Sequence, residues 1–268
     1  MSVTRLPAVL RLRRALLALI PLALAAMPTA SAGAAEFGAG ITQYKAFLGE
    51  QVARSRDAAA TLRDRVAAAD LPGAQRAWLE ARGGWEATEV VADEFFPELD
   101  AAIDAWPDAK HGFHAIEAKL FGAHSTDVLA ESEALLANLR TFRQKLDAAG
   151  LTAQGLLNGA TKLAFEIGEN KSDGGESPFS GNSLAEIGDN LAGIDAAYRQ
   201  VFAAPLAAED AALDRKVRTT IEELHAVSAA GDLAKLDQMR LRRLSEELAI
   251  ALQAAGPAIG LQKPVLEN

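Results

Sequence analysis

The 268-residue chain contains no cysteine, and aromatic residues make up only 6% of it. The lack of cysteine excludes disulfides, thiolate metal sites, iron–sulfur clusters and any cysteine nucleophile. Half of the residues are nevertheless hydrophobic. The chain can therefore bury one large core, or two smaller ones, without cross-links.

Strand signals are scarce as well. β-Branched residues are scattered and no long stretch alternates between polar and apolar residues, whereas alanine, leucine, glutamate and arginine recur at helical spacing. We therefore predict an all-α protein built from two packed antiparallel four-helix bundles, over residues 36–150 and 151–255. The tail from residue 256 contains two prolines and is expected to fray.

The helix boundaries follow from capping and breaking residues. Leu71-Pro-Gly73 is expected to end the first helix, Ser125 or Thr126 to cap the fourth, and Thr152 to cap the fifth. The predicted helices span about residues 41–69, 74–93, 111–121, 126–149, 153–168, 184–202, 208–229 and 232–254.

Residues 1–32 predict a cleavable signal peptide. Four arginines precede an apolar run over residues 15–26, and small residues at 30–32 offer a peptidase site. The run is shorter than the roughly 20 residues that span a bilayer, and Pro21 interrupts it. We therefore expect export to the periplasm, with no membrane anchor on the mature chain.

The predicted mature chain is strongly acidic. Removing residues 1–32 takes away four arginines and no acidic residue, which lowers the net charge from −9 to −13. This charge disfavours nucleic acid as a partner and suits attraction of cations. Arg240, Arg242 and Arg243 form a local basic cluster. Such a cluster is either a binding site for an acidic polysaccharide or a solvated helix face.

His114 and Glu117 form a candidate metal-ligand pair. They are three residues apart on a predicted helix, so both side chains leave the same face one turn apart. The spacing alone is weak, because a lone histidine on an amphipathic helix is more often a hydrogen-bonded partner than a ligand.

Acidic residues upstream strengthen the case. Glu86 and Glu89 share a helix with Arg82, which can pair with Glu86 at i, i+4. Asp100 and Asp104 lie in an irregular passage where backbone breaks can turn carboxylates inward. The alternatives are a helix cap for Asp100 and a surface position for Glu89.

Three segments together resemble the imelysin-like family, classed among peptidases as M75. They are Ala81-Arg-Gly-Gly-Trp-Glu-Ala-Thr-Glu89, Leu99-Asp-Ala-Ala-Ile-Asp104 and Gly112-Phe-His-Ala-Ile-Glu117. The resemblance covers essentially the whole predicted mature chain. It is strongest to the branch of short periplasmic components of Efe-type iron uptake that lack a cupredoxin domain.

The resemblance implies metal ligands at His114, Glu117, Glu86 and Asp100, with Arg82, Glu89 and Asp104 supporting them. It adds Glu176 from Gly175-Glu-Ser-Pro-Phe-Ser180, where the family usually carries a second glutamate that this chain lacks. If the assignment is right, Glu86, Asp100, His114 and Glu117 should converge within about 5 Å of a common point.

The implied function is periplasmic iron binding for an inner-membrane permease, with a haem-type peroxidase as a further partner. One imidazole and several carboxylates suit iron, with zinc, manganese or copper as alternatives. Neither His-Glu-x-x-His nor Gly-x-Ser-x-Gly occurs, so we expect no enzyme activity. The alternatives are an M75-type metallopeptidase and a module that binds acidic polysaccharide such as alginate.

Overall fold

The computed structural model describes Met1, residues 32–104 and residues 110–266, with the side chains of residues 32–36 left out. The predicted signal peptide, apart from its first and last residues, lies outside this range. The described residues form helices and contain no strand, which confirms the all-α prediction.

Eleven α-helices are described, interrupted by three π-helical turns and one 3₁₀ turn. The α-helices are α1 (Ala32–Ala67), α2 (Leu71–Glu86), α3 (Glu89–Phe95), α4 (Pro97–Ile103), α5 (Gly112–Glu117), α6 (Leu129–Ala148), α7 (Ala153–Glu166), α8 (Ser183–Ala197), α9 (Ala203–Glu209), α10 (Ala211–Ser228) and α11 (Gln238–Ala258). The π turns are Ala118–Gly122, Ile167–Lys171 and Tyr198–Phe202, and the 3₁₀ turn is Leu233–Lys235.

Several predicted helix boundaries are wrong, among them the start of the first helix, at Ala32 rather than about 41, and of the last, at Gln238 rather than about 232. Two others have a clear local cause. Leu71-Pro-Gly73 does not merely end the first helix but forms the first turn of α2, where Asp70 accepts a hydrogen bond from the Gly73 amide. Proline is tolerated there because its missing N–H would have no helical partner. The fourth predicted helix begins only at Leu129, because the Ser125 hydroxyl accepts from the Asp127 amide in a turn instead. The Thr152 cap is confirmed, with a hydrogen bond from the Gly155 amide.

The predicted helix over residues 74–93 is divided in two. The Thr88 hydroxyl donates to the Trp85 carbonyl at 2.7 Å; α2 ends at Glu86 and α3 begins at Glu89. α8 approaches this break closely because Gly193 has no side chain. A Cβ atom at Gly193 would lie 2.6 Å from the Ala87 carbonyl oxygen. The break between α2 and α3 and the close approach of α8 bring polar and charged side chains of these three helices together.

Helices of the two halves pack into one buried core. α1 packs against α2 and α6, while α7 and α10 pack against α11. α3 lies on α7 and α2 on α8, which joins the halves, and buried apolar residues form one continuous cluster. The division into two bundles at residue 150 therefore stays a prediction. α11 continues past the predicted start of the tail, to Ala258.

None of the helices in the described part of the chain combines the length and the apolar character that a membrane span requires.

Candidate metal centre

The site begins at the carboxyl end of α2. Arg82 and Glu86 lie one turn apart, are fully buried, and pair at 2.5 Å (Nη2 to Oε1), as the sequence spacing predicted. Glu89, three residues further on in the first turn of α3, lies beside Glu86, and Asn190 donates to both carboxylates. Two glutamates of successive helices therefore lie together.

Lys171 is the centre of a first cluster, the lysine group, which consists of Lys171, Glu86, Glu89 and Glu176. Its Nζ lies 3.0 Å from Glu86 Oε2, 2.8 Å from Glu89 Oε2 and 3.0 Å from Glu176 Oε1. Asn190 Nδ2 donates to the same oxygens of Glu86 and Glu89, at 2.9 Å each. One buried ammonium is therefore shared by three carboxylates.

Asp104, His114 and Glu117 form a second cluster, the histidine group. His114 Nε2 lies 2.9 Å from Asp104 Oδ1, and His114 Nδ1 lies 3.8 Å from Glu117 Oε2. Trp85 Nε1 donates to Asp104 Oδ2 at 2.9 Å. The imidazole is thus placed between two carboxylates, one of which is fixed by an indole.

Arg82 bridges the two groups. Its Nη1 pairs with Asp104, and its Nη2 lies 3.2 Å from Glu176 Oε1. Its Nε lies 3.3 Å from Glu186 Oε1, and its guanidinium carbon is 5.4 Å from the centroid of the Phe113 ring. This set of partners holds the guanidinium on every side, so Arg82 is a fixed internal counterion.

Glu117 connects the histidine group to the loop at residues 172–182. Its Oε1 accepts hydrogen bonds from the Phe179 amide at 3.2 Å, the Ser180 amide at 2.8 Å and the Ser180 hydroxyl at 2.8 Å. One carboxylate oxygen of the predicted ligand pair is therefore used to hold the loop, and the other faces His114.

Burial dominates the electrostatics of the lysine group. Removal from water raises the pKa of Glu86 to about 8, although Arg82 and Lys171 oppose the rise. The pKa of Glu89 is raised well above its usual range, first by burial and then by Glu86. Carboxylates crowded in a buried space keep protons unless cations neutralise them.

Hydrogen bonds and ion pairs dominate the histidine group. Burial would raise the pKa of Asp104, but Arg82 and His114 hold it well below its usual range. Burial would likewise lower the pKa of His114, but polar contacts with Asp104 and Glu117 raise it to about 9. The pKa of Glu117 is lowered against burial by the contact with His114 and by hydrogen bonds from Ser180.

An open cleft of about 200 Å³ reaches both groups, and its lining includes Glu89, Asp104, Lys171 and Glu176. Asp100 lies on its wall, and burial, followed by the charge of Asp104, raises its pKa to about 7. A larger neighbouring cleft of about 820 Å³ shares part of this lining. The clusters are therefore buried but open to solvent along one side.

Among the described residues, two overlapping sets place one ligand atom of each member within 4.8 Å of all the others. The sets are Asp104, His114 and Glu176, and Glu86, Glu89, Asp104 and Glu176.

The predicted ligands are therefore brought together only in part. Glu176 belongs to both sets, Glu86 and His114 belong to different sets, and Asp100 and Glu117 belong to neither. No set therefore contains two of the four residues that were expected to converge. Asp104, expected to play a supporting role, belongs to both.

The donor chemistry of the two sets fits a metal cation. The first set offers one imidazole nitrogen with two carboxylates and the second offers four carboxylates, donors of the kind that divalent iron, manganese or zinc accepts. Oε2 of Glu176 is buried and has no hydrogen-bond partner among the described residues. A buried carboxylate oxygen without a donor is costly, and a bound cation would satisfy it.

Fold and site together define a class: an all-α protein with a buried carboxylate–histidine cluster beside an open cleft, suited to a multivalent cation. Within this class the chain belongs to the imelysin family of M75 peptidases, whose family model matches residues 40–255.

Two curated relatives are similar at low identity. Iron-regulated protein A of Synechococcus elongatus is 27% identical over 199 residues, which cover 52% of this chain and 55% of that protein. Iron uptake system component EfeM of Bacillus subtilis is 26% identical over 196 residues, which cover 67% of this chain and 50% of that protein. The chain thus spans about half the length of the curated relatives it matches.

Sequence reasoning missed Lys171, Glu186 and Asn190. Lys171 stands at the start of a polar, glycine-containing stretch. A lysine in such a stretch is expected to be exposed, so nothing in the sequence indicated that Lys171 is buried. Glu186 and Asn190 carried a usable signal, because they lie four residues apart on a helix whose other buried side chains are mostly apolar. Polar residues on such a face usually have buried partners.

Proposed function

We propose that this chain is a periplasmic iron-binding protein that serves an inner-membrane iron-uptake system. One observation carries the proposal: beside an open cleft, Asp104 and Glu176 have ligand atoms within 4.8 Å of each other, and of His114 in one set and of Glu86 and Glu89 in the other. The names of the two similar proteins, which refer to iron uptake and iron regulation, support iron as the metal.

The proposed ligands are Asp104, His114 and Glu176, with Glu86 and Glu89 completing the set. Asp104 and Glu176 belong to both sets and therefore form its centre. Iron is cargo in this proposal, and the protein delivers it to a permease, with a haem-type peroxidase as the further partner that the family resemblance suggests.

The proposal treats the chain as a binding protein and not as a peptidase. His114 contacts two carboxylates, and neither peptidase string is present in the sequence. The three arginines of the basic cluster that favoured an acidic polysaccharide are exposed, and each contacts another side chain of this chain. Arg240 pairs with Glu223, Arg242 Nε donates to Ser172 Oγ, and Arg243 pairs with Glu247.

Calorimetric titration with Fe²⁺ under anaerobic conditions tests the proposal. We expect one iron per chain, and we expect Glu176→Gln to weaken binding at least about tenfold, the lower range for disturbing a metal site. Glu169→Gln is the matched control, because Glu169 lies nearby on an exposed part of the same segment. Absence of binding by the unmodified chain, or equal losses in the two variants, would contradict the proposal.

A further inference from the structure

Lys171 lies where a metal ion would be expected. Its ammonium is within 3.0 Å of one oxygen from each of Glu86, Glu89 and Glu176, and the residue is only 5% exposed. The same three glutamates belong to one of the two candidate ligand sets. In the metal-free protein, the lysine group therefore already contains a cation, supplied by the chain itself.

A metal ion and this ammonium exclude each other. Metal–oxygen distances for iron-like ions are about 2.0–2.2 Å, so an ion bound to these oxygens would overlap or closely contact Nζ. Two cations at such a separation repel strongly away from bulk water. Metal binding to the lysine group requires the ammonium to move.

The two buried cations differ in how readily they can move. Arg82 is held by carboxylates on several sides and by the Phe113 ring, and it is completely buried. Lys171 has a flexible four-carbon stem and is the last residue of the π turn Ile167–Lys171. The turn follows the end of α7 and leads into the loop at residues 172–182.

The cleft contains other carboxylates that the Lys171 ammonium can approach when it leaves the lysine group. Lys171 lines the cleft together with Asp100 and Glu166, two carboxylates outside the candidate ligand sets. Rotation of the lysine side chain toward this wall would bring the ammonium toward Asp100 and Glu166, the second of which pairs with Lys162 at 3.7 Å.

We propose that Lys171 is a tethered, displaceable cation that occupies the lysine group before loading and leaves it when a multivalent cation binds. The inference rests on the proposed function and adds a mechanism by which the site selects multivalent over monovalent cations. A monovalent ion gains little by replacing a bound ammonium, whereas a divalent or trivalent ion interacts more strongly with three carboxylates. Loading is thereby linked to a rearrangement at the beginning of the loop at residues 172–182.

The test compares anaerobic Fe²⁺ titrations of the unmodified chain, Lys171→Met and Lys145→Met. Lys145 is the control, because it is an exposed lysine in the last turn of α6 and lines neither cleft. We expect Lys171→Met to bind Fe²⁺ at least about tenfold more tightly and Lys145→Met to stay within about threefold. Equal or weaker binding by a folded Lys171→Met variant would overturn the inference.

A second measurement serves if Lys171→Met does not fold. Acetylation of lysines in the unmodified chain, read by mass spectrometry, should spare Lys171 without metal and label it after Fe²⁺ loading. Lys162, 49% exposed on its side chain, should be labelled in both states. Protection of Lys171 in the loaded protein would contradict displacement.

The outcomes also separate the two proposals. Iron binding by the unmodified chain decides the proposed function, whereas the change caused by Lys171→Met decides the role of the lysine. If the unmodified chain binds no iron and Lys171→Met binds it, the lysine blocks the site and the function is wrong. If neither binds, both proposals fail.

Discussion

The histidine group and the lysine group both contain buried carboxylates, but the pKa values of these carboxylates shift in opposite directions. The pKa values of Asp104 and Glu117 are lowered, because Arg82, His114 and Ser180 contact them. The pKa values of Glu86 and Glu89 are raised, because burial outweighs their partners. The comparison indicates that the partners of the histidine group stabilise its ionised carboxylates. In the lysine group the ionised carboxylates are less well stabilised, and additional positive charge would stabilise them.

Removing the bridge between the groups should have the largest effect. Arg82→Met leaves the carboxylates of both groups without their fixed counterion, and we expect the free energy of unfolding to fall by about 3–5 kcal/mol. Urea denaturation of the metal-free protein measures this change. Arg54→Met is the control, since Arg54 pairs with Glu80 on the surface and should cost at most about 1 kcal/mol. Equal losses would remove the distinction between a buried bridge and a surface pair.

Replacing the imidazole tests whether the histidine group contributes to metal binding. His114→Gln keeps a polar side chain but removes the ring nitrogens, and we expect Fe²⁺ affinity to fall about 10–100-fold. His225→Gln on α10 is the control, and its affinity should match that of the unmodified chain. Unchanged affinity in His114→Gln would restrict the metal to the carboxylates of the lysine group.

The pH dependence should distinguish metal-free from loaded protein. The pKa of Glu86 rises from 4.5 to about 8 on folding, and that of His114 from 6.5 to about 9. Both groups bind protons more tightly in the folded state, so their contribution to stability is lost as pH rises through about 8 and 9. The metal-free melting temperature should therefore fall between pH 6 and pH 9.

Metal affinity should change in the opposite direction over this range, because both groups must release protons to act as ligands. The stabilisation by Fe²⁺ should thus grow with pH while metal-free stability declines. Thermal melts at pH 6 and pH 9, with and without Fe²⁺, measure both trends. In Glu86→Gln the decline of metal-free stability should be shallower, and an unchanged slope would contradict the assignment of this titration to Glu86.

The smallest effect is expected at the loop. Ser180→Ala removes one hydroxyl hydrogen bond to Glu117 and leaves both amide bonds in place. A loss of about 1 kcal/mol in unfolding free energy is expected, with little change in Fe²⁺ affinity. A large loss of affinity would mean that Glu117 belongs to the metal site and that the separation drawn between loop and site is wrong.

The sequence predicted the helical class and the pairing of Arg82 with Glu86, because both follow from helical periodicity. It did not predict which aspartate joins the candidate sets. Asp100 and Asp104 are four residues apart, but Asp104 caps the end of α4 with a non-helical backbone, and that local geometry sets the direction of its side chain. Lys171 was missed because its burial depends on contacts with α2 and α3, which are distant in sequence.

Anomalous diffraction from iron-loaded crystals tests the central claim most directly. The account predicts one iron peak about 2.0–2.2 Å from carboxylate oxygens of Asp104 and Glu176, with Lys171 Nζ moved away from Glu86 and Glu89. A peak confined to the exposed acids of the larger cleft, with the lysine group unchanged, would contradict it.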